Sequence, residues 1–414
     1  MHTQIISEQV FKIFIDGYHG YMHYFHDPLY YDYISNINET HLLGLFDNDM
    51  LIGVSMLSST SVLKKYRLFT SHTGPLIEDI TNDRLKFFLE EIDAYAKSKN
   101  ALQMIHSPYM VYQLRNSEGE VADEAGNNPE LVKIYEDMGY RHHGFTKQLV
   151  TEELLRHQAV IDIDQSLDAL KKNMDSTTRY NTRQVELMPL KIKFLGEDEY
   201  DRFIKIYKDT EERIGFDPVP EKKLRTILNT LKDKMYLTLT YIDLDEYMQQ
   251  LQSELETFET KAQTLRDDID SGKGTKGTKK RLNQEQQQID SRNSRIKKIK
   301  KFHDSHGSVL ELSAAMYYYN NHEMVYLFSG SDPELSYFMG TNFATWEMIK
   351  KAQDLGVKRF NLSGLTGDFT ENAKDFGVYR FKKGYNPVIE ELPGTFDKIY
   401  KPVIYKVAHK LGKI

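Results

Sequence analysis

The sequence predicts an α/β fold of mixed α+β type, made of two similar units and interrupted by a long helical arm. Three observations carry that expectation. Residues 87–105 and 344–362 repeat one order, an amphipathic helix and then a strand ending in a small-residue turn. In each half that pair follows two adjacent strands and one further strand. Between the two copies, residues 243–306 read as two long helices folded back on each other.

The arm is legible as a heptad seam. Leu244, Met248, Leu251, Leu255, Phe258, Ala262, Leu265 and Ile269 alternate in steps of four and three. Residues 271–278 read SGKGTKGT and offer no helix. The pattern resumes with Leu282, Ile289 and Ile296 seven apart and closes on Ile299 and Phe302. So short a loop sets the second limb antiparallel to the first, which predicts an antiparallel coiled coil. The first limb carries Glu254, Glu256, Glu259, Asp267, Asp268 and Asp270; the second carries Arg292, Arg295, Lys297, Lys298, Lys300 and Lys301. Opposite charges favour pairing of the limbs with each other over pairing with a second chain. A strand at 235–242 precedes the arm and one at 308–319 follows it. The arm is therefore expected as an insertion between neighbouring strands of one unit.

The remaining elements follow from local pattern. Residues 42–46 and 50–57 form a hairpin about Asp47-Asn48-Asp49, and a strand at 67–71 runs toward Gly74-Pro75. A helix at 84–99 turns Leu85, Phe88, Leu89, Ile92, Tyr95 and Ala96 to one face. The strand at 101–105 ends in Ser107-Pro108-Tyr109, and a short helix at 129–138 stops at Gly139. The second unit opens with a strand at 159–163 and a helix at 167–187. Helices at 197–213 and 221–232 lead to the interrupted hairpin. A strand at 324–329, a helix at 337–355 with the single tryptophan Trp346, and a strand at 358–362 complete it. The expected division is 1–150 for the first unit, 151–242 with 308–397 for the second, 243–307 for the arm, and 398–414 for a basic amphipathic helix. The order of strands and helices in each unit is similar to that of the N-acetyltransferase unit.

Composition narrows the function classes. The chain has 414 residues, 40% hydrophobic and 12% aromatic, enough for two cores and an arm. Its formal charge of −7 gives no reason to expect general affinity for nucleic acid, although the second arm limb and the C-terminus are locally basic. Cysteine is absent, which excludes disulfides, thiol chemistry and cysteine-ligated metals. The first residues, Met1-His2-Thr3-Gln4-Ile5, show no basic and apolar leader, and no stretch reaches the roughly 18 apolar residues of a membrane span. A cytoplasmic protein is expected.

A coenzyme A acyltransferase needs a glycine-rich turn whose N–H groups cradle a diphosphate at a helix start. Neither long helix has one: Gly272, Gly274 and Gly277 sit at the arm tip, and Gly364 and Gly367 follow a strand. Walker A, HExxH, GxSxG and EF-hand patterns are also missing, so no metal or nucleotide cofactor is expected. The densest polar stretch is residues 359–369, RFNLSGLTGDF, followed by 376–387, FGVYRFKKGYNP.

That second run resembles the closing motif of the Fem peptidyltransferases of Gram-positive cell-wall synthesis, above all their FemA and FemB branch. SHTGPLI (71–77), NMDSTTRYNTRQV (173–185), YLFSGS (326–331) and TWEMIKKA (345–352) resemble the family in the same order. The arm sits where that branch carries one like the arm of seryl-tRNA synthetase. The resemblance covers nearly the whole chain and implies two acetyltransferase-like subdomains. The activity it implies is tRNA-dependent aminoacyl transfer, adding glycine or serine to the interpeptide bridge of the peptidoglycan precursor lipid II. The implied partners are aminoacyl-tRNA, glycyl-tRNA first, lipid II at the inner membrane face, and related Fem proteins in a homo- or hetero-oligomer. Aminoacyl-tRNA would be the donor, with no coenzyme A. The alternative is a non-catalytic paralogue that scaffolds bridge-forming enzymes.

The resemblance also implies site residues. The Phe-Lys of the closing motif falls on Phe381 and Lys382, where a positioned ammonium would steady a developing oxyanion or a phosphate. Read without the family, Lys382 and Lys383 solvate a strand beside a buried Phe381. Substrate-binding roles are implied for Arg179, Asn181, Tyr109, Lys383 and Tyr385; as helix residues, Arg179 and Asn181 also read as merely solvated. Tyr326 and Trp346 read as core. Two departures stand out. The family's Ile-Asp-Pro-Tyr is His106-Ser107-Pro108-Tyr109 here, without the carboxylate that the family offers the incoming amine. After Phe216, where the family presents aromatic residues, this chain has Lys222-Lys223-Leu224. The C-terminal stretch sets Lys398, Lys401, Lys406, Lys410 and Lys413 around Val403, Ile404, Val407 and Leu411, suited to an anionic membrane surface or to the protein's own body.

Overall fold

Each half of the chain folds around one parallel strand pair closed by a helix. The computed structural model describes residues 1–122, 126–147, 155–215 and 218–414. In the first half the strands Tyr66–Ser71 and Ala101–His106 run parallel, with Leu68 opposite Gln103, and the helix Asn82–Ser98 joins them. In the second half Glu323–Ser331 and Arg359–Leu365 run parallel, with Met324 opposite Phe360, and the helix Gly340–Asp354 joins them. A parallel pair needs a long crossover, and a helix supplies it. Among the described residues every other strand pairing is antiparallel. Two eight-stranded sheets result, and the mixed α/β fold is the one expected.

The crossover helices bury the stripes their sequences present. Leu85, Phe88, Leu89, Ile92 and Ala96 lie in the core of the first half, and the Thr81 hydroxyl caps that helix by accepting from Arg84 N. Ala344, Met348, Ile349 and Ala352 do the same in the second half, joined by Trp346, whose indole donates to Glu186 at 2.9 Å. This helix begins later than expected, because Ser336–Phe338 form a separate short turn.

The arm comprises the helices Leu244–Asp270 and Lys276–His306. It interrupts the hairpin of Met235–Asp243 and Val309–Tyr319, whose residues pair antiparallel from one end to the other. Cross-limb contacts run Asp245 to His303, Glu254 to Arg292 and Arg266 to Gln286, so the limbs are antiparallel. Leu244, Tyr247, Leu251 and Ile299 anchor the base among Val185, Leu312 and Phe338. The tip is shorter than expected. Thr275 and Thr278 form a reciprocal capping box, so the second helix already starts at Lys276 inside the SGKGTKGT run.

Three further expectations are corrected. Helix 167–187 is two helices, Leu167–Asn173 and Ser176–Val185, because the Asp175 carboxylate caps a new start by accepting from Thr178 N. The FGVYRFKK segment is a helix, Phe376–Lys383, not a strand. Residues 398–399 are not helical: they end the strand Phe396–Ile399, and the terminal helix is Pro402–Lys410. The halves also exchange strands. Phe396–Ile399 pairs with Ala101–His106 in the first sheet, and Gln113–Arg115 pairs with Ile389–Glu391 in the second. Backbone groups at the sheet margins thus find partners from the other half of the chain. The expected limit at 150 falls among residues 148–154, outside the described residues.

Two helices absent from the sequence reading, Glu8–Gly17 and Pro28–Ile37, cover the first sheet through Phe11, Ile15 and Tyr31. Asp27, at the start of the second, accepts from the Tyr318 hydroxyl at 2.8 Å and ties the two halves together.

Candidate active site

Between the halves lies a cavity of about 1080 Å³. One wall is aromatic and comes from the first half: His23, Tyr24, Phe25, Tyr30 and His72. Their rings pack on one another, with Phe25 stacked on Tyr30 at 4.5 Å and His23 against Tyr109 at 5.5 Å. Burial pushes His23 and His26 down to about 3 and His72 to about 4, so these imidazoles are neutral at pH 7.

The opposite wall comes from the strands Glu323–Ser331 and Arg359–Leu365 and the helix Phe376–Lys383. On that helix Tyr379 and Lys382, three residues apart, share the buried face. Lys382 is only 6% exposed, and its Nζ donates to the Gly364 carbonyl at 2.6 Å. Desolvation pushes its ammonium down to about 7, against a smaller opposing pull from Asp375. Asp375 is itself held by Thr366, accepting from its backbone N at 2.9 Å and its hydroxyl at 2.7 Å. The turn that follows is tight. Gly367 has φ +81°, and a Cβ there would lie 2.3 Å from the His157 ring.

Further along the same strand the floor is a closed polar network. Arg359 donates to Glu323 at 2.9 Å and forks onto Glu390 at 2.5 and 2.6 Å. Tyr109 donates to Gln158 at 3.0 Å and to Glu323 at 3.3 Å, while Asn361 donates to Gln158 at 2.6 Å. Tyr109, Gln158, Glu323 and Asn361 all line the cavity. Between this network and Gly364 the strand carries a bulge: Ser363 has φ +65°, and its N–H donates to the Asn361 side-chain Oδ1 at 2.7 Å. The site therefore offers a buried lysine that titrates near neutrality, a polar floor held by Arg359, and an aromatic wall.

The chain matches the FemAB family over residues 6–413. It belongs to that family. Over 378 residues it is 32% identical to the aminoacyltransferase FemA of Staphylococcus aureus strain MW2, which covers 91% of this chain and 90% of FemA. FemA of strain COL matches with the same figures. The crystal structure of FemX shares the fold, with a TM-score of 0.78 over 98% of this chain and 99% of FemX at 18% identity. Homology to FemA marks this FemAB-family protein as an enzyme that transfers aminoacyl groups.

The residues expected at the site fall into two groups. Lys382, Phe381 and Tyr109 line the cavity. Phe381 is half-buried and meets the Tyr385 ring edge-on at 5.5 Å, while Tyr385 itself is core. Lys383 faces away and pairs with Glu118 at 2.5 Å. Arg179 and Asn181 ride on the helix Ser176–Val185, outside the lining; Arg179 donates to the Lys172 carbonyl at 3.1 Å. Tyr326, expected as core, is buried yet also lines the cavity, whereas Trp346 is core alone. Ser107 does not join the lining. Its hydroxyl bonds Thr395 Oγ1 at 3.0 Å. Phe216 lies outside the described residues; in the helix after it, Lys223 lines the cavity and Leu224 is core.

Sequence reasoning missed the aromatic wall and Glu323. The wall had a signal in the run HGYMHYFHDPLYYDY at 19–33, dense in rings well beyond ordinary usage. Glu323 had none, because only the parallel pairing of its strand with Arg359–Leu365 brings it to Arg359.

Proposed function

We propose that this FemAB protein transfers glycine, or serine, from aminoacyl-tRNA to the interpeptide bridge of lipid II, without coenzyme A. The observation that carries the reading is Lys382, a buried ammonium on the wall of a cavity large enough for two substrate ends. Attack of a neutral amine on the aminoacyl ester puts negative charge on the carbonyl oxygen. A donor fixed before the reaction steadies that charge without reorganising. The Gly364 carbonyl holds the Lys382 ammonium in one direction, leaving its other protons for the oxyanion.

Collapse of the tetrahedral intermediate breaks the ester C–O bond, and the tRNA 3′-oxygen leaves as a hydroxyl after taking a proton. An ammonium poised near pKa 7 can give that proton and recover one from the attacking amine. The ester is already activated, so the chemistry needs no thioester donor. The place of action we propose is the cytoplasmic face of the membrane. Among the described residues no helix is long and apolar enough to cross it.

The direct test mixes the purified chain, lipid II with a partly built bridge, and tRNA charged separately with labelled glycine, serine or alanine, without coenzyme A. Transfer of glycine or serine to lipid II is expected. Should no charged tRNA donate to any acceptor, the proposed tRNA donor and lipid II acceptor are overturned.

A further inference from the structure

The terminal helix Pro402–Lys410 is clad on one side only. Ile404, Tyr405 and Ala408 pack against Val62, Tyr66, Leu68 and Leu102 of the first sheet and Leu63 of the turn beside it. The next face, at spacing i, i+4 and i+8, holds Val403, Val407 and Leu411, which are 76%, 49% and 58% exposed. Three aliphatic side chains in one exposed row, on a helix already docked through its other face, need an apolar medium to cover them.

The charges around that row say which medium. Lys406 and Lys410 lie along one edge of it, Lys401 and Lys413 at its two ends, and the chain from residue 398 to 414 has no aspartate or glutamate. Lys64 and Lys65 add two exposed ammonium groups from the turn that carries Leu63 to the helix. Lys398 is the exception, committed to Asp93 at 2.5 Å. This concentration of cations occurs in a chain whose formal charge is −7. An aliphatic row rimmed by lysines matches the boundary of an anionic bilayer, where the row enters the acyl region and the ammonium groups meet headgroup phosphates. We propose that the helix Pro402–Lys410, with Lys64 and Lys65, is a docking surface for anionic lipid bilayers. Docking itself stands apart from the transfer reaction; its use, presenting the cavity to a lipid-linked acceptor, rests on the proposed function.

The test measures co-sedimentation of the full chain with vesicles of phosphatidylcholine alone or with phosphatidylglycerol, without lipid II. Binding is expected only to the anionic vesicles, weakened roughly tenfold or more by raising salt from 0.1 to 0.5 M, since surface charges are screened. The double variants Lys406→Glu/Lys410→Glu and Val403→Ser/Val407→Ser should each lose most of that binding. All four positions are exposed, so the melting temperature should stay unchanged. Transfer to a water-soluble acceptor should be unaffected in both variants, while transfer to lipid II in anionic vesicles falls. Equal binding by wild type and variants overturns the proposal, as does loss of affinity for RNA alone with vesicle binding retained. Vesicle binding as expected with no transfer to any acceptor would sink the proposed function and leave the docking surface standing.

Discussion

The two crossover units share a plan and differ in where they put charge. In the first, the strand Ala101–His106 ends in a buried His106 against Tyr140, and the buried carboxylate is Asp93 on the crossover helix. Asp93 accepts from the Tyr140 hydroxyl at 2.7 Å, from Tyr400, and from Lys398 at 2.5 Å. Nothing of this group lines the cavity. In the second unit the strand Arg359–Leu365 itself bears the charge, with Arg359 and Asn361 at one end and the Gly364 acceptor of Lys382 at the other. One copy thus uses buried charge to hold the exchanged strand Phe396–Ile399, and the other turns it toward the cavity. The same scaffold was put to two uses.

That contrast is easiest to break at its buried ion pairs. Arg359→Met would leave Glu323 and Glu390 facing each other without a cation, in a region where Glu323 is 1% exposed. Removal of one partner of a buried pair costs about 3–5 kcal/mol, so urea melts should show a loss of that size. Lys398→Met should cost less, about 1.5–3 kcal/mol, because Asp93 keeps two tyrosine donors. Equal losses would mean the second network is no more tightly bound than the first.

The next largest effect belongs to adjacent lysines. Lys382→Ala should lower turnover about 10²–10³-fold, the scale for losing a preorganised oxyanion donor. Lys383→Ala removes a half-exposed pair with Glu118, worth at most about 1 kcal/mol, and should leave turnover near that of the parent. Comparable small effects at both positions would return Lys382 to a structural role. Single-turnover rates with bound substrates would separate the two cases.

How much of this was visible beforehand depended on whether the cause was local. The arm, the hairpin at 39–62 and both crossover helices rest on periodicity and turn chemistry within a few residues, and they were legible. The closing motif was legible as a sequence match but not as a helix, since eight residues with three aromatics and a valine favour neither state strongly. The burial of Lys382 was invisible for the same reason. A lysine inside a basic run reads as solvent-facing until the helix is laid across Gly364. The exchange that pairs 113–115 with 389–391 and 396–399 with 103–106 joins residues about 275 to 295 apart in sequence, and no pattern within any of these segments announces it. Ser107 stands out in the sequence only by its place in a motif, whereas Thr395, its hydrogen-bond partner, arrives from the exchanged end of the chain.

Titration sharpens the contrast further. Lys382 binds its proton less readily in the folded chain, near pH 7, than in the unfolded chain, near 10.5. The unfolded state therefore holds more protons between those values, and stability rises with pH across that window and is lowest below it. Lys382→Met should flatten this slope and melt higher than the parent at pH 6, although it is inactive. If the ammonium is the working form, transfer should also decline above about pH 7, while the neutral fraction of an α-amine acceptor still grows toward its pKa near 8. A narrow bell with limbs near those values is expected for kcat/KM. A profile that only rises with pH would show that the neutral amine of Lys382, not its ammonium, serves the reaction.

The smallest expected effect concerns Ser107, and it depends on the acceptor. At pH 7.5 roughly a quarter of an α-amine with pKa near 8 is already neutral, against about one part in a thousand of a lysine ε-amine near 10.4. A carboxylate that draws off a proton thus has little to add for a bridge α-amine and much to add for an unmodified stem-peptide lysine. Ser107 sits two residues before Tyr109, which lines the cavity, but its hydroxyl is turned to Thr395. Ser107→Asp would have to give up that contact to reach the acceptor. We expect it to raise transfer to a bridge α-amine by no more than about threefold, and transfer to the stem ε-amine by clearly more. The parent chain should accordingly prefer the bridge. The measurement is the ratio of initial rates on two lipid II acceptors, one bare and one carrying a first glycine, for the parent and the variant. A parent that uses the bare acceptor as readily as the glycylated one, with a ratio that Ser107→Asp leaves unmoved, would show that proton removal is handled elsewhere in the cavity. Glu323, held between Tyr109 and Arg359, would then be the carboxylate to replace next.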